Sequence, residues 1–124
     1  MSQAIPPEAY RLDVRSPDGV QLAVWVEGEG PALVLVHGSL RDHTASAALV
    51  QELRSDITTF SMDRCGFGAS ADRPEYTIER DFEDVATVVE AVAARTGEPV
   101  ALWGHSYGAN CAMGAATLTD AVSH

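Results

Sequence analysis

Three short apolar stretches constrain the fold of this chain more than any other feature. Residues 32–36 (ALVLV) and 100–103 (VALW) are continuously apolar, and residues 57–62 (ITTFSM) are mostly apolar or β-branched. Stretches of this length predict strands buried on both faces, which occur where helices cover a parallel sheet. Apolar residues at helical spacing follow the stretches at residues 32–36 and 57–62. They are Ala45, Ala48, Leu49 and Leu53, and then Ile78, Phe82, Val85, Val89 and Val92.

An antiparallel hairpin is predicted ahead of these stretches. Apolar and polar residues alternate over residues 10–14 and 20–26, and Ser16-Pro17-Asp18-Gly19 between them is typical of a turn. The order β-β-β-α-β-α-β-α predicts an α/β fold, with a mostly parallel sheet of about five strands, an N-terminal antiparallel hairpin and helices on both faces. Residues 1–124 are expected to form a single domain or part of one.

A G-x-S-x-G motif lies between the last predicted strand and a helix that begins near Tyr107. It consists of Gly104-His105-Ser106-Tyr107-Gly108. A turn this sharp predicts strained backbone angles at the serine and a close approach of strand and helix that only glycine tolerates. It would raise the Ser106 hydroxyl to the carboxyl edge of the sheet and leave the Tyr107 amide at a helix N-terminus, where negative charge is favoured.

Two other loops are predicted at the same edge. His37-Gly38-Ser39 follows the strand at residues 32–36, and Asp63-Arg64-Cys65-Gly66-Phe67-Gly68-Ala69-Ser70 follows the strand at residues 57–62. Open α/β sheets bind their ligands at the carboxyl ends of the strands. Besides the Tyr107 amide, a backbone amide of the first loop could therefore donate to the oxyanion formed from a reacting carbonyl group. Ser39 is the first choice for this donor and Leu40 the second. His37 is expected to orient its loop rather than to act as a base.

These three motifs, in this order and each after its own strand, resemble the first half of an α/β-hydrolase-fold enzyme. The resemblance covers nearly the whole chain from about Tyr10. It implies that Ser106 is the nucleophile and that the amides of Ser39 and Tyr107 form the oxyanion hole. It also implies a reaction that needs no cofactor and no metal.

The chain departs from the family pattern at two places. Cys65 stands where the family usually has arginine, with Arg64 one place earlier, which puts any ion pair from that position in doubt. In the family the acid and the histidine follow the serine after later strands. Only Asp120 and His124 follow Ser106 here, too soon for that geometry, so the acid and the histidine are expected to lie outside this chain.

The expected function is hydrolysis of a small carboxylic ester, amide or thioester through an acyl-enzyme at Ser106. A serine at this place disfavours the dehalogenase and epoxide-hydrolase branches of the fold, which typically use aspartate. Acyl transfer and cofactor-free perhydrolysis remain open. The alternative from another class is a truncated, catalytically incompetent product or a binding module, because loss of triad members leaves only about 10³- to 10⁴-fold catalysis over water.

Composition excludes several other classes of function. The formal charge of −10 would repel a nucleic acid backbone, and the two cysteines, Cys65 and Cys111, are too far apart in sequence to indicate a zinc site. No apolar run is long enough to span a bilayer, and the first residues do not resemble a secretory signal, so we expect a cytoplasmic protein. The strand at residues 100–103 is expected to leave an exposed apolar edge that favours self-association or a partner chain. Trp103 is expected in the core beneath the Ser106 turn.

Overall fold

A single mixed five-stranded sheet carries three α-helices in the computed structural model, which describes residues 9–124. The elements follow the predicted order. The strands are β1 (Tyr10–Arg15), β2 (Gln21–Gly28), β3 (Ala32–Val36), β4 (Thr58–Met62) and β5 (Ala101–Gly104). The helices are α1 (Ala47–Leu53), α2 (Ile78–Thr96) and α3 (Tyr107–Ala116).

The strands lie in the order β1-β2-β4-β3-β5 across the sheet. The predicted hairpin of β1 and β2 is antiparallel, β2 pairs antiparallel with β4, and β3 runs parallel to both β4 and β5. Because β3 lies inside the sheet, Val34, Leu35 and Val36 are buried irrespective of the face to which they point. That position explains why residues 32–36 are continuously apolar.

Helices cover both faces of the sheet, as predicted. Val34, Val36, Phe60 and Met62 share one face and pack in a single apolar core with residues of α2 and α3. The opposite face carries the alternate residues of the same strands, and α1 packs there against β2 and β4. The α/β architecture expected from the sequence is therefore present.

Local signals place the helix boundaries. The Thr77 hydroxyl accepts a hydrogen bond from the Arg80 amide (3.2 Å) at the start of α2, and Gly97 caps the carboxyl end of this helix. The segment between β3 and β4 contains a 3₁₀ turn, His43–Ser46, followed directly by the α-helix α1. The Asp42 carboxylate caps that turn by accepting from the Thr44 amide (2.9 Å).

The outer edge of β5 is partly paired. Val122 forms a parallel bridge with Val100, and the Leu102 amide donates to the carbonyl of His124 (3.0 Å). The prediction that Trp103 lies in the core is wrong, since its side chain is 40% exposed. Alternation along β5 turns Trp103 towards the face of α1, and α1 lies over β2 and β4 instead of β5.

Candidate active site at the carboxyl edge of the sheet

Ser106 occupies the turn between β5 and α3 in a strained backbone conformation. Its φ of 57° and ψ of −124° lie where residues with a side chain are rarely found, and the residue is exposed. Main-chain hydrogen bonds tighten the turn on both sides: the His105 amide donates to the Val36 carbonyl (3.1 Å), and the Ala109 amide donates to the Ser106 carbonyl (2.9 Å). The hydroxyl is therefore held at the carboxyl edge of the sheet.

Close backbone contacts explain the two glycines of the G-x-S-x-G motif. A Cβ on Gly108 would lie 2.6 Å from the His37 carbonyl oxygen, and a Cβ on Gly104 would lie 2.7 Å from the Cα of Ala109. Both distances are shorter than any side chain tolerates, and backbone atoms cannot yield easily. The glycines thus permit helix α3 to approach β3 and β5 closely.

The loop after β3 lies directly against the Ser106 turn. A Cβ placed on Gly38 would be 3.3 Å from Ser106 Cβ and 3.2 Å from the His105 carbonyl oxygen. Leu40, two residues further on, is 88% exposed and has a positive φ of 60°. The structure thus brings together the two loops that the sequence predicts to meet.

Two backbone amides lie on either side of this contact. Tyr107 is the first residue of α3, so its amide has no partner within the helix, and Ser39 follows Gly38 in the opposing loop. Within residues 9–124 neither amide donates to another backbone group. Both are free to bind an oxygen atom that carries negative charge.

His37 is fixed as a neutral ring beneath the loop. Its Nδ1 donates to the Gly38 carbonyl (2.8 Å), and its Nε2 accepts from the Arg64 amide (2.9 Å). Burial lowers the pKa of His37, and the hydrogen bond to Gly38 only partly opposes this effect. Both ring nitrogens are therefore engaged, and the side chain orients the loop as the sequence analysis expects.

Arg64 makes contacts that the sequence analysis did not anticipate. Its side chain is buried, with Nε donating to the His37 carbonyl and Nη2 donating to the Gly38 carbonyl (3.1 Å each). The guanidinium lies over the ring of Phe67 (4.9 Å to the centroid) and over the ring of Tyr107 (4.8 Å). No short-range sequence signal marks the contacts of Arg64 to His37, Gly38 and Tyr107, because these residues are distant from it in the chain.

A cleft of about 720 Å³ opens beside this cluster. Leu40, Phe67 and Ile78 give it apolar walls, and the hydroxyls of Tyr76 and Tyr107 lie 2.8 Å apart at its side. Burial and hydrogen bonding raise the pKa values of both tyrosines, so both stay protonated. Their hydroxyls donate to one buried carboxylate, that of Asp81.

Asp63 organises the third loop from inside the protein. Its fully buried carboxylate accepts hydrogen bonds from Trp25 Nε1 (2.9 Å), the Ala69 amide (3.0 Å) and both the amide and Nδ1 of His43 (2.8 Å each). Burial tends to raise the pKa of Asp63, but these donors together hold it below its ordinary value. Asp63 and His43 are thus structural partners on the α1 side of the sheet.

Cys65 and Cys111 are unpaired and buried, and burial raises the pKa of each thiol to about 11. Within residues 9–124 no three His, Cys, Asp or Glu side chains are grouped as metal ligands would be. None of the helices in that range has the length and apolar character needed to cross a bilayer.

A family model described as the alpha/beta hydrolase family matches residues 33–123, which is most of the chain. The chain belongs to the alpha/beta hydrolase family. The match includes all three loops at the carboxyl edge of the sheet. It confirms the resemblance on which the sequence analysis relied.

Two relatives found by sequence comparison have names that differ in the reaction they state. The chain is 35% identical over 100 residues to the probable oxidoreductase EphD of Mycobacterium tuberculosis, and 38% identical over 98 residues to pimeloyl-[acyl-carrier protein] methyl ester esterase of Xylella fastidiosa. These alignments cover 77% and 78% of this chain, but only 17% and 35% of the relatives. The chain therefore spans about a sixth to a third of their length.

Solved alpha/beta hydrolase structures superpose well on the chain. An alpha/beta hydrolase from Sphaerobacter thermophilus has a TM-score of 0.76 at 36% identity, with 86% of this chain and 40% of that chain covered. An epoxide hydrolase from an endophytic Streptomyces has a TM-score of 0.79 at 26% identity, with 94% of this chain and 35% of that chain covered. The sheet, helices and loops described above thus match about two fifths or less of these larger family structures.

Proposed function

We propose that this chain carries the nucleophile of a serine hydrolase that cleaves a small carboxylic ester, amide or thioester. The exposed Ser106 hydroxyl on a strained strand-to-helix turn, between the free amides of Ser39 and Tyr107, is the observation that carries the proposal. Preorganised N–H donors of this kind stabilise the negative charge that develops on a carbonyl oxygen during acyl transfer. The X. fastidiosa relative, named as a methyl ester esterase, supports an ester as the substrate.

The reaction would proceed in two halves. Ser106 Oγ adds to the carbonyl carbon while a general base removes its proton, and the amides of Ser39 and Tyr107 bind the oxyanion. The bond to the leaving group then breaks, the leaving group takes the proton, and the acyl group remains on Ser106. Water attacks this ester in the same way, which releases the acid and restores the serine.

The general base and its acid partner are proposed to lie outside these 124 residues. Within residues 9–124 no histidine nitrogen hydrogen-bonds to Ser106: His37 and His43 are engaged elsewhere, and Nδ1 of His124 contacts Ser123. The relatives are several times longer than the matched segment. A later segment of a longer protein, or a partner chain, would supply both groups.

The cleft lined by Ser39 and Tyr107 bears on the substrate. Its apolar walls at Leu40, Phe67 and Ile78 favour an apolar group next to the reacting carbonyl. A serine in the turn between β5 and α3 favours acyl chemistry over epoxide opening, for which this fold typically uses aspartate. Acyl transfer and perhydrolysis would proceed through the same acyl-enzyme and differ only in the molecule that attacks it.

A non-catalytic module of the same fold is the second candidate. The lack of any described histidine bonded to Ser106 favours it for this chain on its own. Such a module would keep the turn and the cleft but would not turn over an ester.

Hydrolysis of a short p-nitrophenyl ester, with and without added imidazole, tests the proposal. The chain should show slow turnover that depends on Ser106, and imidazole should accelerate it by replacing the absent base. Ser106→Ala, measured under the same conditions, gives the background rate, and His124→Asn should match the unsubstituted chain. Equal rates for the chain and Ser106→Ala at every imidazole concentration would reject the hydrolase and support the non-catalytic module.

A further inference from the structure

We propose that Arg64 is the positioning residue that aligns both halves of the oxyanion hole. One guanidinium contacts the peptide that carries the Ser39 amide and the residue that carries the Tyr107 amide. The catalytic part of this inference rests on the proposed function. The structural part, that Arg64 holds these amides in place, does not.

The first half of the hole depends on the peptide between Gly38 and Ser39. In a trans peptide the C=O and N–H point in opposite directions, so bonds to the Gly38 carbonyl also set the direction of the Ser39 N–H. That carbonyl accepts from Arg64 Nη2 (3.1 Å) and from His37 Nδ1 (2.8 Å). Both donors are buried, and rotation of the peptide would leave both without this acceptor.

The loop needs such a restraint because it is strained and exposed just beyond this peptide. Leu40 has a φ of 60° and is 88% exposed, so its own side chain contributes little packing. A strained conformation persists only where the surrounding structure determines it strongly. The bonds from Arg64 and His37 to the loop backbone supply that restraint.

The second half of the hole is restrained through the Tyr107 side chain. The Arg64 guanidinium stacks 4.8 Å from the centre of the Tyr107 ring, and Arg64 Nη1 lies 3.8 Å from the Asp81 carboxylate. The Tyr107 hydroxyl donates to that same carboxylate (2.7 Å). The ring is thus held on its face by the guanidinium and at its hydroxyl by Asp81.

An arginine suits this place better than a lysine. The planar guanidinium has several donors in fixed directions and can stack on an aromatic ring at the same time, whereas an ammonium group is a compact point charge. Arg64 uses Nε and Nη2 on two carbonyls, and its exposure is 4%. The side chain is therefore committed to the protein instead of being available to a substrate anion.

Backbone ¹⁵N relaxation of the chain tests the structural part. Arg64→Met should lower the order parameters of the Ser39 and Leu40 amides from about 0.85, typical of a rigid backbone, to below about 0.6. Arg64→Lys keeps a charge near Asp81 and provides the test if Arg64→Met does not fold. This variant should lower the order parameters of the same two amides by a smaller amount. Arg80→Lys, at an exposed arginine outside the cleft, should leave the order parameters of both amides unchanged. Unchanged order at Ser39 and Leu40 in a folded Arg64 variant overturns the inference.

The imidazole-supported ester reaction tests the catalytic part. Arg64→Lys should lower kcat about 10- to 100-fold, with KM within about twofold, because misaligned oxyanion donors weaken transition-state binding alone. A higher KM with an unchanged kcat would assign Arg64 to substrate binding and overturn the inference. If the unsubstituted chain shows no Ser106-dependent hydrolysis, the proposed function fails, while the relaxation result still decides whether Arg64 holds the loop that carries the Ser39 amide.

Discussion

Gly38 lies against the Ser106 side chain, so that a Cβ on Gly38 would be only 3.3 Å from Ser106 Cβ. The same Cβ would be 3.2 Å from the His105 carbonyl oxygen, so it would push the loop after β3 away from the turn by a few tenths of an ångström. We therefore expect Gly38→Ala to lower the Ser106-dependent rate about 10-fold or more, since small displacements of catalytic groups are costly. Ester hydrolysis measured with urea denaturation of the same samples checks this.

Gly97→Ala is the matched control for a loss of stability alone. Gly97 ends α2 with a positive φ of 77° and has open space around it. Alanine there should cost about 1 kcal/mol in the free energy of unfolding through backbone strain and leave the rate unchanged. Equal losses of rate in Gly38→Ala and Gly97→Ala would show that proximity to Ser106 is irrelevant.

The strained backbone of Ser106 predicts a stabilising substitution. At a φ of 57° and ψ of −124° a residue with a side chain costs about 1–3 kcal/mol, and glycine avoids that cost while losing about 0.5–1 kcal/mol of chain entropy. Ser106→Gly should therefore raise the free energy of unfolding by about 1 kcal/mol. Ser106→Ala, which keeps the Cβ, should not raise it. Equal stability of the two variants in urea denaturation would mean that the strain at Ser106 is no larger than the chain entropy that glycine loses, about 0.5–1 kcal/mol.

Local sequence patterns predicted the framework of this site because the relevant signals span few residues. The two positions flanking Ser106 in the motif require glycine because a Cβ there would clash with backbone atoms of the motif and of the neighbouring strand. The turn was therefore predictable. Trp103 was not, because a four-residue apolar strand does not reveal which of its faces a helix covers. Whether a helix covers Trp103 depends on where α1 packs, and α1 packs on β2 and β4.

The contacts of Arg64 lay beyond sequence reasoning for a related reason. The family pattern drew attention to position 65, where a cysteine stands, whereas the neighbouring arginine makes the contacts to the loop after β3. Its partners are 26 and 27 residues away in sequence. Neither periodicity nor spacing carries information over that distance.

The neutral state of His37 predicts a pH dependence of stability. Its pKa in the folded protein is lowered from the ordinary 6.5, chiefly by burial, so the unfolded chain binds this proton first as the pH falls. The contribution of neutral His37 to the free energy of unfolding is complete above pH 6.5 and is lost as the pH falls through the lower pKa of the folded protein. Urea denaturation between pH 8 and pH 5, about the range in which histidine titrates, should show declining stability on acidification.

His37→Gln identifies the source of that decline. Glutamine does not titrate, so the slope of stability against pH below 6.5 should flatten in this variant. His105→Gln replaces an exposed histidine next to the nucleophile and should keep the slope. An identical slope in His37→Gln and the unsubstituted chain would assign the pH dependence to other groups.

A buried ion pair joins the loop after β4 to helix α2. Arg73 donates from Nη1 and Nη2 to the two carboxylate oxygens of Asp84 (2.8 Å each), and both side chains are almost fully buried. Burial raises the pKa of Asp84 even though Arg73 opposes the shift, so this carboxylate depends on its partner. Arg73→Met should lower the free energy of unfolding by about 3–5 kcal/mol, because it leaves a buried carboxylate unpaired.

The double variant Arg73→Met/Asp84→Leu separates the cost of an unpaired charge from the value of the pair. With both charges replaced by apolar side chains of similar size, most of the lost stability should return. Arg80→Met, which breaks an exposed pair with Glu83, should cost no more than about 1 kcal/mol. A double variant as unstable as Arg73→Met would mean that Arg73 contributes through its other contacts. These are chiefly the two hydrogen bonds from its guanidinium to the Asp18 carboxylate (3.0 Å each).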